Sequence, residues 1–403
     1  MSLIYPTITL LARPDVQPSA LTVARPSAAT RIDPLGRVVA VAADSLRHDY
    51  DPDTGHYRGW LIEEARTNRI VSSESMAPSP WQTTGASLTS DTVTGPDGLT
   101  GADTLTEDSA STVHTLYQDG LAYAAGQPHT LSVFAKSHGR ERLQLVLPST
   151  AFGTVHSAVF DLTTGTVGFT EGTVTTSLRA LPDGWVRCAL TATAVAGGTS
   201  NAHFRLRDSG GVSDYPGDGV SGVHLWGAQM EGGGFPTSYI PTADAPVTRA
   251  ADAIHLTLAG RPFNPREGAL LVSGAAEAGT TATLCEIGDG GPGHRFAVTL
   301  DPDAGTAAFT VVTGGATVAS LSHGGVTAGT LVRAAAAYAV DDFAFGVGGG
   351  TVATDGAGAL PASPTTLTVG GTGAGVVGPR CWVRQIGVFP RRLADDDLQT
   401  LTL

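Results

Sequence analysis

The sequence predicts an all-β chain: two tandem β-sandwich (jelly-roll) domains behind a short N-terminal region. Three observations carry that expectation. Thr, Val, Ala and Gly dominate a composition with 52 glycines and only 15% charged residues, a mixture suited to many strands and tight turns. Short segments with apolar alternation recur along most of the chain, separated by Gly-, Pro- and Asp-rich turns. Helix-period stretches are scarce, the best being residues 59–69 and 394–403. The 403 residues allow two or three domains at ~100–200 residues each.

Residues 1–24 carry Pro6, Pro14 and Pro18 among mixed polarity, which implies an extended arm rather than an independent core. Residues 25–75 read as short strands and turns followed by a short amphipathic helix over 59–69, with Trp60, Leu61 and Ile62 buried. The run Asp51-Pro52-Asp53-Thr54-Gly55 reads as a turn, Pro and Gly supplying the dihedrals. Asp49, Asp51 and Asp53 begin like a calcium loop, but Gly55 falls one position late and Trp60 stands where a bidentate Glu is needed, which excludes an EF-hand. Glu63 and Glu64 are adjacent and point apart, so ion pairs with Arg66 or Arg69 are expected rather than acid–base chemistry. The whole region, 1–75, is short for a solitary domain and is expected to lean on neighbouring subunits.

Residues 76–246 are expected to form the first sandwich, with strands at 100–105, 113–118, 129–135, 142–147, 156–162, 184–193, 202–208 and 222–229. Leu143 and Leu145 share one face of their strand, as do Phe204 and Leu206; Arg142, Gln144, His203, Arg205 and Arg207 point the other way. Trp81, Trp185 and Trp226 are expected in the core.

Three consecutive glycines, 232–234, then break the extended ladder. Phe235, Tyr239 and Ile240 form a strap that Pro236, Pro241 and Pro246 stiffen. The domain boundary is placed here, near residue 246.

Residues 247–403 are expected to form the second sandwich, with strands at 254–258, 268–274, 281–287, 295–300, 307–312, 330–339, 342–347, 366–369 and 378–388. The Gly-rich loop 288–294 reads as a hairpin connection in preference to a ligand or calcium loop. Asp395, Asp396 and Asp397 sit in the first turn of a closing helix, where carboxylates suit the helix dipole.

Two stretches resemble a known class. G-D-G-V-S-G-V-H-L-W-G-A-Q-M-E followed by P-T-S-Y-I-P-T resembles the end of carbohydrate-binding-module-like sandwiches in bacteriophage tail-fibre and spike proteins. Upstream, R-P-S-A-A-T-R-I-D-P-L-G-R-V, D-P-D-T-G and R-G-W-L-I-E-E-A-R-T-N resemble the segment preceding that sandwich in the same proteins. Together these cover roughly the first 250 residues. The ending C-W-V-R-Q-I-G-V-F-P-R-R-L-A-D-D-D-L-Q-T-L resembles the last strand and helix of laminin-G-like or lectin-like jelly rolls. The resemblance implies a virion-surface protein, either a tail fibre or a head spike such as those of gene-transfer-agent particles. It also implies attachment to other virion proteins through the N-terminal region, a homo-oligomer (trimer or pentamer) and binding to host surface glycan such as capsular polysaccharide.

Charge and motifs narrow the classes further. The net charge is −13 and no Lys/Arg run exists, which argues against nucleic acid and against an anionic membrane surface. The N-terminal stretch lacks the basic, then apolar, pattern of a signal peptide, and no run has the length of a membrane span. Synthesis in the host cytoplasm, without a signal peptide, follows as the expectation. Cys188, Cys285 and Cys381 lie far apart in apolar contexts and read as small buried hydrophobes. No nucleophile elbow, P-loop, zinc-protease or dinucleotide motif occurs, so neither catalysis nor a cofactor is expected. Structural calcium is unsupported. A glycosidase whose two acids are far apart in sequence stays open; so does a purely structural decoration or baseplate protein.

Sugar recognition needs planar polar side chains for hydroxyl pairs and aromatic faces for rings. Arg142, Gln144, His203, Arg205 and Arg207, with His224 and Trp226 in the strand leading out, are the candidate glycan-binding set; the arginines suit carboxylate or sulfate on acidic glycans.

Overall fold

In Arg142–Leu147 and Gly198–Arg207, Leu143, Leu145, Phe204 and Leu206 are all fully buried. The strands are neighbours, with Leu143 opposite Leu206 and Leu145 opposite Phe204. Both apolar sets therefore face one side of the sheet. In the computed structural model, which describes residues 5–77, 79–279, 281–373, 375 and 377–403, these strands lie at the centre of a six-stranded front sheet. Its order is Thr166–Glu171, His156–Asp161, Arg142–Leu147, Gly198–Arg207, Thr115–Tyr123 and Trp81–Thr84. The six-stranded back sheet runs Thr175–Ala180, Val186–Thr193, Pro128–His138, Gly222–Gly232, Thr100–Glu107 and Ala86–Thr94. The sheets close over one core, where Leu143, Leu145 and Phe204 meet Leu131, Val133 and Leu225. Each such side chain contributes roughly 1.5–3 kcal/mol by leaving water.

All eight strands expected in this sandwich are present. Among the described residues the two sheets hold four more: Trp81–Thr84, Ala86–Thr94, Thr166–Glu171 and Thr175–Ala180. These are the four edges of the two sheets. They are Thr-rich and largely exposed, so they carry little of the apolar alternation by which strands are read.

The second sandwich is built from both ends of the chain. One sheet runs Thr22–Ala24, Ala253–Thr257, Thr366–Val369, Ala282–Gly288, Arg295–Asp301, Thr306–Thr313 and Ala316–Gly324. The other runs Ala353–Asp355, Asp342–Val347, Val332–Ala339, Glu267–Ala276, Cys381–Phe389, Tyr57–Ile62 and His48–Tyr50. Cys381–Phe389 is its hub: on one edge it pairs first with Ile8–Leu11 and then with Tyr57–Ile62. Phe296, Phe309, Tyr338, Phe343 and Phe345 fill the core together with Ile8, Trp60 and Ile62. Loop 288–294 joins two antiparallel neighbours, as a hairpin connection does.

Two expectations for the N-terminal region are corrected, its separateness and the helix over 59–69, while the arm is extended as expected. Residues 1–75 do not stand apart: described strands of this region complete the C-terminal sandwich, so the first sandwich is an insertion into the second. The arm docks as a strand at Ile8–Leu11; its first four residues lie outside the described ones. Residues 59–69 are not helical. Trp60 and Ile62 face the main core while Leu61 packs with Ala275 and Trp382 on the opposite side. A strand covered on both faces reads as a continuous apolar run, which periodicity alone does not separate from a helix.

The insertion is pinned where it enters and leaves. Arg66–Asn68 pairs with Val247–Arg249. Beside that pair lies a buried ion cluster. Glu63 Oε2 is 2.6 Å from Arg47 Nη1 and 2.8 Å from Arg249 Nη1; its Oε1 is 3.4 Å from Arg380 Nε. Ser238 donates to both Glu63 oxygens, through N and Oγ. Asp252 pairs with Arg25 at 2.8 Å and with Arg47. Glu64 pairs with Arg66, as expected, but Glu63 takes partners distant in sequence.

The closing helix, the cysteines and the tryptophans are as expected. Asp395–Leu401 is a helix with three aspartates in its first turn, and Leu398 packs on Ala335, Ala337, Ala344 and Phe389. The three cysteines are buried free thiols. Trp81, Trp185 and Trp226 are all buried.

Glu63→Ala is expected to destabilise the protein by about 3–5 kcal/mol, because it strands buried guanidiniums without their counter-charge. A urea midpoint within error of wild type would show that the cluster contributes nothing. Burial opposes ionisation of Glu63, yet Arg249, Arg47 and Arg380 outweigh it and hold the carboxyl well below the usual range. The contribution is therefore full above the unfolded value of about 4.3 and lost as pH falls through the native one. Glu63→Gln should accordingly flatten the acid limb of a stability-versus-pH curve.

Candidate functional site: the outer face of the front sheet

The back sheet has no free outer face to offer at its centre. Phe134, Trp185 and Trp226 on that side are covered by Val38 and Ile32 of the hairpin Ala29–Ile32/Val38–Val41 and by Tyr239 of the strap. The Trp226 and Tyr239 rings are 4.7 Å apart. On the front sheet the residue alternation that buries Leu143 and Phe204 puts a polar row on the outer side, where Thr115, Gln144, Val146 and Ser157 are themselves buried while His203 and Arg205 are partly exposed.

Strand register assembles that row. Arg142 lies opposite Arg207, Gln144 opposite Arg205, and Val146 opposite His203. On the far side of the central strand Tyr117 lies opposite His203 and Thr115 opposite Arg205. All five sequence-selected residues therefore share one face, but they do different things there.

Gln144 is a buried support. Its Nε2 donates to Ser157 Oγ at 2.8 Å, and its Oε1 accepts from Arg207 Nε at 3.0 Å. The position is closed to solvent: Gln144 is only 2% exposed. Arg207 is committed as well, with its Nη1 donating to Gly211 O at 3.0 Å. Arg142 donates to Ser209 O and sits 3.8 Å from Asp161. Both arginines thus fasten the turn that follows Arg207. His203 stacks on Tyr117 with ring centroids 4.8 Å apart and planes 24° from parallel. Burial, with the neighbouring Arg205 cation, pushes its imidazole down to about 4, so at neutral pH it is an uncharged ring.

Arg205 is the member left uncommitted. Among the described residues no partner hydrogen-bonds its guanidinium, its Nε is buried without a partner, and no carboxylate comes within ion-pair distance. Burial lowers its pKa, partly offset by Glu171 across the sheet. It presents a charged fork beside the Tyr117–His203 stack, an arrangement suited to a planar anionic group with an adjoining ring.

His224 and Trp226 do not join this set. They belong to the back sheet, where His224 meets His138 and Thr104 while Trp226 is core. Sequence reading missed Tyr117 and Ser157. Tyr117 was findable, because it is out of phase with buried Leu116; Ser157 becomes relevant only once pairing sets it beside Gln144. No group of three or more potential metal-ligating side chains occurs among the described residues.

Arg205→Ala is expected to leave stability within about 0.5 kcal/mol of wild type or to raise it, because no hydrogen bond is lost and a buried unpartnered donor is removed. Gln144→Ala should cost about 1–3 kcal/mol, because it leaves Ser157 and Arg207 without a buried partner. Equal losses in chemical denaturation would refute this division of roles. In an NMR titration the His203 ring should have its midpoint near 4.

No family model matches the chain, and no curated protein matches it. Among solved structures it is similar to the CBM40 of the Ruminococcus gnavus IT-sialidase bound to α2,6 sialyllactose, at 17% identity over 35% of this chain and 85% of that one, with a TM-score of 0.31. It is also similar to the botulinum neurotoxin serotype D binding domain, at 11% identity over 38% of this chain and 40% of that one, with a TM-score of 0.30. A third is a structure of botulinum neurotoxin type C, whose cell entry is described as dependent on two ganglioside molecules. It matches at 10% identity over 38% of this chain and 40% of that one, with a TM-score of 0.30. The match spans about two fifths of each neurotoxin structure's length. Likenesses this partial say nothing about the ligand of this chain.

Proposed function

We propose that this chain is a receptor-binding fibre or spike of a phage or phage-like particle, and that it recognises host surface polysaccharide through the outer face of the front sheet. The observation that carries the reading is Arg205: a half-buried cation with no hydrogen-bond or ion-pair partner among the described residues, beside a stacked Tyr117–His203 pair, on the outer face of the front sheet. Retaining an unpaired arginine there has a physical rationale if an anionic sugar supplies the counter-charge. The sequence resemblance to phage spikes, head spikes of gene-transfer agents among them, sets the biological context. Attachment to the particle and homo-oligomerisation are assigned to the N-terminal region on the same resemblance. In an oligomer, several weak sites would act together. The reading is of a binder that leaves its glycan intact.

A second reading, a structural virion protein, is favoured by one feature. Edge strand Thr166–Glu171 is exposed throughout, with Phe169 64% and Val167 37% accessible. An exposed apolar edge of that kind is where another subunit pairs.

Purified protein should sediment with encapsulated host cells and not with capsule-deficient ones, and the glycan should be recovered uncut. Arg205→Ala should reduce that binding at least tenfold, and Arg142→Ala together with Arg205→Ala should abolish it. Equal binding to both cell types would reject the glycan reading and favour the structural one. Shortened glycan would point instead to a depolymerase.

A further inference from the structure

A cleft of about 500 Å³ lies between the two sandwiches. It is walled by strand Thr175–Ala180 of the first, by the strap at Gly234, Phe235 and Pro236, and by Glu277, Gly279, Asp303 and Arg380 of the second. Its size is that of small-ligand sites. Its charge is unusual for a chain of net charge −13. Three arginines line it, Arg179, Arg187 and Arg380, against two carboxylates, Glu277 and Asp303.

The cations are crowded and incompletely paired. Arg179 and Arg187 are directly opposite each other on paired strands, a like-charge arrangement that destabilises a sheet. Arg187 donates to Thr237 O and Ser132 Oγ but lies within ion-pair distance of no carboxylate among the described residues, and its Nε is buried without a partner. Burial pushes its pKa down to about 10, Arg380 and Arg179 adding to the push, so it stays charged at neutral pH. Arg380 is 9% exposed; its Nε lies 3.4 Å from Glu63 but makes no hydrogen bond, and that Glu63 is already shared with Arg47 and Arg249. The carboxylates do not balance this. Glu277 reaches Arg179 only at 4.0 Å, and Asp303 is turned to the Gly279 amide. Hydroxyls of Thr175, Thr176 and Ser177 and the Phe235 ring complete the lining.

We propose that this inter-sandwich cleft is a second binding site, which takes a carboxylate or sulfate group of an acidic saccharide between Arg179, Arg187 and Arg380. The anion requirement stands on the cleft alone; that its carrier is a saccharide rests on the function proposed above. An anion seated there neutralises the opposed Arg179–Arg187 pair and offers acceptors to the Arg179 and Arg380 guanidiniums, which donate no hydrogen bond among the described residues, while the hydroxyl rim meets sugar hydroxyls.

The test is calorimetric titration of the full-length chain at low salt with a heparin-derived hexasaccharide, an oligogalacturonate of equal length, a neutral dextran oligosaccharide and sodium sulfate. It is run in the Arg205→Gln background so that the front sheet is silent. At least one acidic saccharide should bind and the neutral one should not. Adding Arg179→Gln should weaken that binding at least tenfold, with the melting temperature unchanged or raised because a like-charge contact is removed. Ser177→Glu, at an exposed rim position, should weaken it similarly and serves alone if Arg179→Gln lowers the melting temperature. The proposal is overturned by absence of acidic-saccharide binding in the Arg205→Gln background, by binding that these variants leave intact, or by sodium sulfate binding as tightly as the saccharides. Binding by wild type that Arg205→Gln alone abolishes would uphold the front sheet and reject the cleft. Binding that survives Arg205→Gln and is lost with Arg179→Gln would support the cleft whatever the capsule assay shows.

Discussion

Glu63 is a fully buried carboxylate on which Arg47, Arg249 and Arg380 converge from the N-terminal region, from the end of the inserted sandwich and from the residue just before the last strand of the second. Asp252 extends the cluster to Arg25, and Ser238 brings in the strap. Taking so many charges out of water is expensive, and a hydrophobic cluster of equal volume would serve stability as well or better. What ionic groups add is geometry. Each carboxylate oxygen accepts only along certain directions, so four distant segments must arrive in one arrangement for the cluster to be satisfied. The paired strands Arg66–Asn68 and Val247–Arg249 close the insertion at the same place, and the relative placement of the two sandwiches follows from that junction.

That placement divides the surface of the first sandwich. Its back sheet is spent on the hairpin and the strap, which bury Phe134, Trp185 and Trp226. On its front sheet the same alternation that fills the core sets a polar row outside, part of it buried and part reaching solvent. Within the row most side chains serve the scaffold: Gln144 supports Arg207, and Arg142 and Arg207 fasten the turn beyond the strand. Only when those are set aside does Arg205 stand out, because an unpartnered donor in a half-buried setting is costly unless something else completes it.

The chain's arginines sort in the same way. Those at the junction are paired with carboxylates that the fold brings to them. Arg205 on the front sheet and Arg187 in the cleft lie within ion-pair reach of no carboxylate among the described residues, and Arg179 has only a distant one. In a chain with 24 basic and 37 acidic residues, leaving cations unpaired is not a shortage of acids. It reflects where the acids are placed, many of them in turns beside Gly or Pro.

Local pattern by itself determined the all-β class, the interior strands, the buried tryptophans, the strap and the closing helix, because each depends on alternation, turn chemistry or dipole matching within a few residues. It also put Arg142, Gln144, His203, Arg205 and Arg207 on one face. Tertiary structure alone decided the rest. Edge strands such as Thr166–Glu171 bury too little to show alternation. Tyr57–Ile62 is covered on both faces and so mimics a helix in sequence. That the second sandwich is assembled from both ends of the chain, that Glu63 pairs with Arg249 rather than a near neighbour, and that Arg205 rather than Gln144 is free all depend on contacts between residues far apart in sequence. Such contacts leave no periodic trace, because the energy that selects them is released only when the distant segments meet.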